Sequence, residues 1–339
     1  MHLFLIRHGE TVDNVAQVYA GTRDSALTNH GYHQATRLGE HLAGAGVRFT
    51  HFFASDKTRA RVTAERVRAA QPQAATAAAA PGIPAVVQTP LLREQDFGSL
   101  EGVSFVARPY DFARAGRKAD AAPRPDEPGF VEMETRESIN ARVDAFLNAH
   151  LLPLLDVPPV VAVVSHGITL MVLWRQLLLR LPRASVAVHP ELAGSLAGAG
   201  GGTAAVDVAR LGGWSNTGYL ELHFARAVPP REVAEAETEA EAEGAGGAGG
   251  AGGAGQRPAS TSPDAAPGRK TAGEEEEEEE EEATSSTVAM LRGWTTTIRT
   301  VNGRQHLSGL KRTGGGVGSA THDDKQKTMD AFVKRRKSE

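Results

Sequence analysis

Short apolar runs alternate with segments of helical periodicity along the first two thirds of the chain. Residues 3–6 and 160–164 are continuous runs of aliphatic and aromatic side chains, each of strand length. Residues 49–54 and 218–224 form two further runs that suggest strands. This alternation of strand and helix patterns predicts an α/β domain, and we expect a three-layer α/β/α arrangement around a mostly parallel central sheet.

The helical patterns begin after residues that are suited to helix caps. Leucine and alanine recur at helical spacing after Thr28, and alanine and valine do so after Ser55. Threonine and serine side chains accept a hydrogen bond from a backbone N–H group in the first helical turn. We therefore expect Thr28 and Ser55 to cap two helices.

The composition of the chain changes near residue 228. Residues 229–287 contain Glu-Ala repeats, a stretch of only Gly and Ala, and nine consecutive Glu residues. Such a segment has too little apolar surface to offset the entropy of ordering. We expect a folded domain over residues 1–228, a disordered linker over 229–287 and a basic tail over 288–339. Within this tail, threonine alternates with larger side chains over residues 294–301, which suggests a strand that returns to the sheet edge.

The formal net charge of −4 describes none of these segments. Residues 231–282 hold 16 acidic and 4 basic residues, whereas residues 283–339 hold 11 basic and 4 acidic residues. Because the chain has no cysteine, disulfides, a thiol nucleophile and cysteine-bound metals are excluded. The sequence contains neither a signal-peptide core nor an apolar run of about 20 residues. We therefore expect a soluble protein of the cytoplasm, the nucleus or both, with no membrane partner.

Two histidines follow the clearest strands of the sequence, His8 within Arg7-His8-Gly9 and His166 within Ser165-His166-Gly167. Since open α/β sheets place their sites at the carboxyl ends of the strands, we expect both histidines on one rim. Such a pair could bind a metal, act in acid/base catalysis or transfer phosphate. The adjacent arginine and glycines favour an anion, because guanidinium groups and accessible backbone N–H groups bind tetrahedral oxyanions. The residues therefore favour a phosphate site.

Five short motifs occur in the order that is typical of one enzyme family. They are Leu-Ile-Arg-His-Gly-Glu-Thr at residues 5–11, Gly-Thr-Arg-Asp at 21–24, Ser-Asp-Lys-Thr-Arg-Ala at 55–60, Leu-Arg-Glu-Gln-Asp-Phe-Gly at 92–98 and Val-Ser-His-Gly at 164–167. Over about residues 1–225, this set resembles the histidine phosphatase, or phosphoglycerate-mutase-like, superfamily. The ordered set is far more specific than the Arg-His-Gly tripeptide alone.

The resemblance implies a catalytic role for each of five residues. His8 is implied as the nucleophile that becomes transiently phosphorylated, and one of its ring nitrogens should donate to a backbone carbonyl so that the other faces phosphorus. Arg7, Arg59 and His166 are implied to surround the transferred phosphoryl group and to stabilise its transition state. Glu94 is implied to protonate the leaving oxygen and then to accept a proton from the attacking water.

The resemblance also assigns secondary phosphate contacts to Asn14 and to the backbone of Gly21 and Thr22. It implies a metal-independent phosphatase that needs no other cofactor and hydrolyses a small-molecule phosphomonoester through a phosphohistidine. A phosphomutase of the phosphoglycerate mutase type and a phosphate-binding module without catalysis remain as alternatives. Residues 326–337 partly resemble a sliding-clamp-binding peptide that ends in a basic patch for nuclear import or nucleic acid, although a solvated basic terminus is the favoured interpretation.

Overall fold

The central sheet of the computed structural model is mixed and has seven strands. In chain order the strands are β1 (His2–Arg7), β2 (His51–Ser55), β3 (Val86–Thr89), β4 (Val160–Ser165), β5 (Val186–Val188), β6 (Tyr219–Arg226) and β7 (Trp294–Gly303). Their spatial order is β3-β2-β4-β1-β6-β7-β5. All of them run in the direction of β1 except β6, which is antiparallel to both of its neighbours. The structure describes residues 1–72, 82–105, 124–157, 159–193, 208, 211, 213–227 and 291–323.

Helices pack on both faces of this sheet. The α-helices whose two ends both lie within the described residues are α1 (Val12–Ala16), α2 (Asn29–Gly44), α3 (Thr58–Ala69), α4 (Arg136–Phe146) and α5 (Gly167–Arg180). A π-helical turn at Leu147–Leu151 extends α4, and 3-10 turns lie at Pro90–Leu92, Gly98–Leu100, Leu152–Leu154, Arg183–Ser185, Gln305–Leu307 and Val317–Ser319.

Side chains of β1 alternate between the two cores of the molecule. Phe4 and Ile6 pack with residues of α2 and α3, whereas Leu3 and Leu5 pack with residues of α4 and α5. Because successive side chains of a strand point to opposite faces, a strand at the centre of the sheet is apolar at every position. The predicted three-layer α/β/α fold with a mostly parallel sheet is confirmed.

The two predicted helix caps differ in outcome. Thr28 is the N-cap of α2, and its side chain accepts a hydrogen bond from the backbone N–H of Gly31, as predicted. The cap predicted at Ser55 is wrong, since Ser55 ends β2 and α3 begins only at Thr58. The Asp24 carboxylate binds the start of α3 instead, at 2.8 Å from the backbone nitrogen of Thr58 and 2.6 Å from its hydroxyl. This contact joins residues 34 positions apart, so no local pattern predicts it.

The strand predicted over residues 294–301 is present as β7, but its predicted place at the sheet edge is wrong. One side of β7 pairs with β6, from Tyr219 opposite Gly303 to Arg226 opposite Trp294. Its other side pairs with β5. A strand pattern does not show which strand lies beside it, and the three residues of β5 are too few to produce a pattern of their own. Residues 228–290, which we call the insertion, separate β6 from the described residues 291–323 in the chain. The strands β6 and β7 on either side of the insertion are nevertheless neighbours in the sheet.

Two predictions concern residues that lie outside this description. They are the disordered linker at 229–287 and the clamp-like basic segment at 326–337. Among the helices that are described, none combines the length and the apolar character that a membrane span requires.

Candidate active site

The two histidines lie side by side at the carboxyl ends of two neighbouring strands. β1 and β4 are parallel, with Arg7 opposite Ser165, and the backbone N–H of His8 donates to the carbonyl of Ser165 at 3.0 Å. The ring centroids of His8 and His166 are 5.1 Å apart. The sheet register therefore places both histidines on one rim, where the strand patterns predicted them.

A hydrogen bond to a backbone carbonyl defines the tautomer of His8. Its Nδ1 lies 2.7 Å from the carbonyl oxygen of Gly9. Because a carbonyl only accepts, Nδ1 carries the hydrogen and Nε2 carries a lone pair in the neutral ring. Burial lowers the pKa of His8 well below 6.5, and the positive charges of Arg59 and Arg7 lower it further. At pH 7 the ring of His8 is therefore neutral and oriented, with a lone pair on Nε2.

Arg59 orients the second histidine. The side chain of Arg59 is almost fully buried, and its Nε donates to Nδ1 of His166 at 3.1 Å. Nδ1 of His166 is thus the acceptor, so the hydrogen of the neutral ring is on Nε2. Burial, followed by the charge of Arg59, lowers the pKa of His166 well below 6.5. The terminal nitrogens of Arg59 donate to the carbonyls of Ala20, Gly21 and Arg23 at 2.7–3.0 Å.

Two buried donors of the site have no hydrogen-bond partner among the described residues. One is Nε of Arg7, whose Nη1 donates to the carbonyl of Trp214 at 2.7 Å. The other is Nε2 of His166. Buried polar groups are nearly always satisfied, and an unpaired donor costs about 1–3 kcal/mol. Two such donors beside His8 are suited to the oxygens of a bound anion. No group of three or more His, Asp or Glu side chains in the described part of the chain could hold a metal ion.

Glu94 lies at the amino-terminal end of α5. Its carboxylate accepts from the backbone N–H groups of Ile168 at 3.2 Å and Thr169 at 3.1 Å. A Cβ atom built on Gly167 would lie 3.9 Å from both Glu94 Oε2 and Arg7 Nε. Glu94 and Arg7 therefore flank the same glycine.

Comparison with known proteins identifies the family to which this geometry belongs. The family model described as histidine phosphatase superfamily, branch 1, matches residues 3–193. The chain belongs to this superfamily. A protein named as a probable phosphatase from Schizosaccharomyces pombe is 31% identical over 188 residues, which cover 52% of this chain and 56% of that protein. A protein named as a probable phosphoglycerate mutase from Proteus mirabilis is 34% identical over 175 residues, which cover 50% of this chain and 71% of that protein.

A mycobacterial glucosyl-3-phosphoglycerate phosphatase, solved with VO3, is 24% identical to this chain. The alignment has a TM-score of 0.42 and covers 66% of this chain and 91% of that chain. The chain spans about half the length of the first curated relatives that it matches, 56% of one and 41% of another.

The backbone of Gly21 and Thr22, predicted to contact phosphate, binds a carboxylate of the protein itself. The N–H groups of Gly21, Thr22 and Arg23 all donate to the carboxylate of Glu101, at 2.9–3.3 Å. Glu101 also accepts from the backbone N–H of Phe97 at 3.2 Å. In this conformation these amides hold a protein carboxylate, and the carbonyls of the same loop hold Arg59. The phosphate contacts of Gly21 and Thr22 stay a prediction, and in this conformation both amides bind Glu101.

Asn14 is close to the site, but its carbonyl oxygen is already occupied. Oδ1 accepts from the backbone N–H of Thr11 at 3.2 Å, within the capping box of α1, and from Nδ2 of Asn216 at 3.0 Å. Any contact between Asn14 and a phosphate oxygen has to use the Nδ2 group.

A turn that precedes β6 was not predicted as part of the site. We call residues 214–218 the site turn. Its Trp214 carbonyl binds Arg7, Nδ2 of Asn216 donates to the carbonyl of His8 at 3.2 Å, and the N–H of Thr217 lies 3.1 Å from the Arg7 carbonyl and 3.2 Å from that of His8. In the sequence, Asn216-Thr217 has only the signal of an ordinary turn.

Proposed function

We propose that the protein is a phosphatase that hydrolyses phosphomonoesters through a phosphohistidine on His8. The observation that supports this function best is the neutral His8 beside the two unpaired buried donors, Arg7 Nε and His166 Nε2. A binding module has no need of an oriented imidazole with a free lone pair. Membership of the superfamily, and a relative named as a probable phosphatase, support the same activity.

In the proposed first step, Nε2 of His8 attacks phosphorus in line with the departing oxygen. The N–P bond forms as the O–P bond of the ester breaks, and protonated Glu94 gives its proton to the leaving oxygen. Charge on the three equatorial oxygens is stabilised by Arg7, Arg59 and the N–H of His166. The hydrogen bond from Nδ1 of His8 to Gly9 stabilises the ring as it becomes positively charged.

In the proposed second step, water attacks the phosphohistidine. Ionised Glu94 accepts a proton from this water, the new O–P bond forms, and the N–P electrons return to Nε2 of His8. Inorganic phosphate leaves, and both His8 and Glu94 regain their starting protonation states. The same arginine and histidine donors serve both steps, because the phosphoryl group is transferred to and from one nitrogen.

A phosphomutase is the second candidate, and the relatives named as phosphoglycerate mutases favour it. It uses the same His8 chemistry but transfers the phosphoryl group to a hydroxyl of a bound substrate instead of to water. The two functions differ in the acceptor alone, so product analysis with phosphoglycerates separates them: free phosphate supports the phosphatase, and an isomeric phosphoglycerate supports the mutase.

The decisive test is a brief incubation with a ³²P-labelled phosphomonoester, followed by analysis of acid-labile protein phosphate. The wild type should acquire label, and His8→Ala should acquire none. The matched control is His33→Ala, which removes an exposed histidine of α2. Label that persists in His8→Ala, or its absence from the wild type during turnover, would contradict the phosphohistidine mechanism.

A further inference from the structure

The residues that follow the insertion contact the back of the active site. The site turn binds the backbone of Arg7 and His8 and the guanidinium of Arg7. On its other side it is held by two side chains from β7 and the 3-10 turn after it, Asn302 and His306. Both side chains are more than 80 positions from the site turn in sequence.

The site turn needs such support because its backbone is strained. Thr217 has a φ of +56°, which is the left-handed region that a β-branched residue rarely adopts. This conformation directs its N–H to the carbonyls of both Arg7 and His8. A residue in such a conformation persists only where its surroundings hold it there.

Asn302 holds the first part of the site turn. Its Oδ1 accepts from the backbone N–H of Ser215 at 2.9 Å, and its Nδ2 is 3.4 Å from the Ser215 hydroxyl. Gly218 makes room for this amide, since a Cβ atom there would lie 2.2 Å from Asn302 Oδ1. Asn302 itself has a φ of +46°, a conformation that asparagine adopts more readily than most residues.

His306 holds the strained residue directly. Its Nε2 lies 2.9 Å from the Thr217 hydroxyl, which itself donates to the carbonyl of Asn216 at 2.7 Å. Since the hydroxyl hydrogen is used for that carbonyl, Nε2 of His306 is the donor in the contact with Thr217. Its side chain is buried, and burial lowers the pKa of His306 to about 4. The ring is therefore neutral and retains this hydrogen throughout the usual assay range.

We propose that Asn302 and His306 are positioning residues, which keep Arg7 and His8 in their catalytic arrangement through the site turn. Neither touches the substrate. Residues 291–323 are then part of the active site's support, although residues 228–290 separate them from β6 in the chain. This inference rests on the proposed function, and its test contains a measurement that does not depend on turnover.

The test removes each side-chain contact and then restores it. Asn302→Gly keeps the left-handed backbone and deletes the amide, while Asn302→Asp restores the Oδ1 acceptor. His306→Leu deletes the donor, while His306→Gln restores an N–H group at nearly the position of Nε2. The matched control is His41→Gln, because the His41 ring lies 6.1 Å from that of His306 and belongs to α2.

We expect kcat to fall about 10- to 100-fold in Asn302→Gly and His306→Leu, since a displacement of about 1 Å in a catalytic group can cost about 10²-fold. Affinity for orthovanadate, which takes up the five-coordinate geometry of phosphoryl transfer, should fall in the same proportion, whereas KM should change much less. Asn302→Asp and His306→Gln should recover most of both losses, and His41→Gln should match the wild type.

The outcomes distinguish a positioning role from a role in overall stability. They also distinguish failure of the positioning role from failure of the proposed function. If both deletion variants unfold more readily but keep the kcat and the orthovanadate affinity of the wild type, the positioning role is overturned. If His306→Leu does not fold, Asn302→Gly and the two restoring variants still test the positioning role through kcat and orthovanadate affinity. A wild type that binds orthovanadate but hydrolyses no phosphomonoester contradicts the proposed function, and the binding series then still tests the positioning role.

Discussion

Substitution of Gly9 by alanine tests how closely the ring of His8 is held. A Cβ atom at Gly9 would lie 2.5 Å from the carbonyl oxygen of Gly31, where real Cβ atoms essentially never come within 3.0 Å. The backbone must therefore move by at least about 0.5 Å, because the obstacle is main chain and not a flexible side chain. The carbonyl of Gly9 binds Nδ1 of His8 at 2.7 Å, so we expect the His8 ring to move with it.

We expect Gly9→Ala to lower kcat for 4-nitrophenyl phosphate about 10- to 100-fold, on the scale of about 10²-fold per 1 Å of misplacement. Overpacking should also lower the free energy of unfolding by about 1–3 kcal/mol. The control is Gly44→Ala at the end of α2, where a Cβ atom meets nothing within 4 Å. This substitution should stabilise the fold by about 0.4–1 kcal/mol. Wild-type kcat in Gly9→Ala would refute the argument that Gly9 positions His8.

Three further predictions concern the acid, the pH and the insertion. Glu94→Gln cannot donate a proton, so its kcat should fall most for alkyl phosphates and least for 4-nitrophenyl phosphate; equal losses for both would move the acid role elsewhere. Burial lowers the pKa of His8 and His166 well below 6.5 and that of His306 to about 4, so the unfolded chain binds protons that the folded chain excludes. The free energy of unfolding, measured in urea, should keep the full contribution of these histidines above about pH 6.5. Below that pH it should fall by about 1.4 kcal/mol per pH unit for each histidine that stays neutral in the folded chain. The fall should be smaller in His306→Gln. Replacement of the insertion (residues 228–290) by a short turn should preserve kcat and folding, because the N–H of Ala227 already donates to the carbonyl of Gly293 at 2.8 Å. Truncation after residue 227 removes β7, so it should abolish both kcat and folding.

The sequence was sufficient to place the two histidines on one rim. Parallel strands bring their carboxyl ends together whatever the details of packing, and the runs before His8 and His166 are unmistakably strands. Arg59 and Glu94 could not be placed by periodicity, since one lies in a helix and the other in a loop. Their assignment depended on the resemblance to the histidine phosphatase family, and the structure brings both to the same rim.

Contacts between distant segments were the features that the sequence could not predict. Glu101 binds a backbone loop about 80 residues away, and Asn302 binds Ser215 across 87 residues. Local propensity and periodicity describe a residue's own element, whereas these contacts depend on which loops the completed sheet brings together. The edge position predicted for β7 was wrong for the same reason, because β5 is too short to be recognised on its own.

The surroundings of Arg59 show what these distant contacts do at the site. Burial lowers the pKa of Arg59, and the negative charges of Glu94, Asp24 and Glu101 oppose this effect. Yet the hydrogen-bond partners of the guanidinium are carbonyls and His166, with no carboxylate among those the structure describes. Glu101 acts from the other side of the loop, where it binds the amides of Gly21 and Arg23, whose carbonyls hold Arg59. Arg59 is thus fixed in place without a direct ion pair, so its positive charge remains available to an anion beside His8.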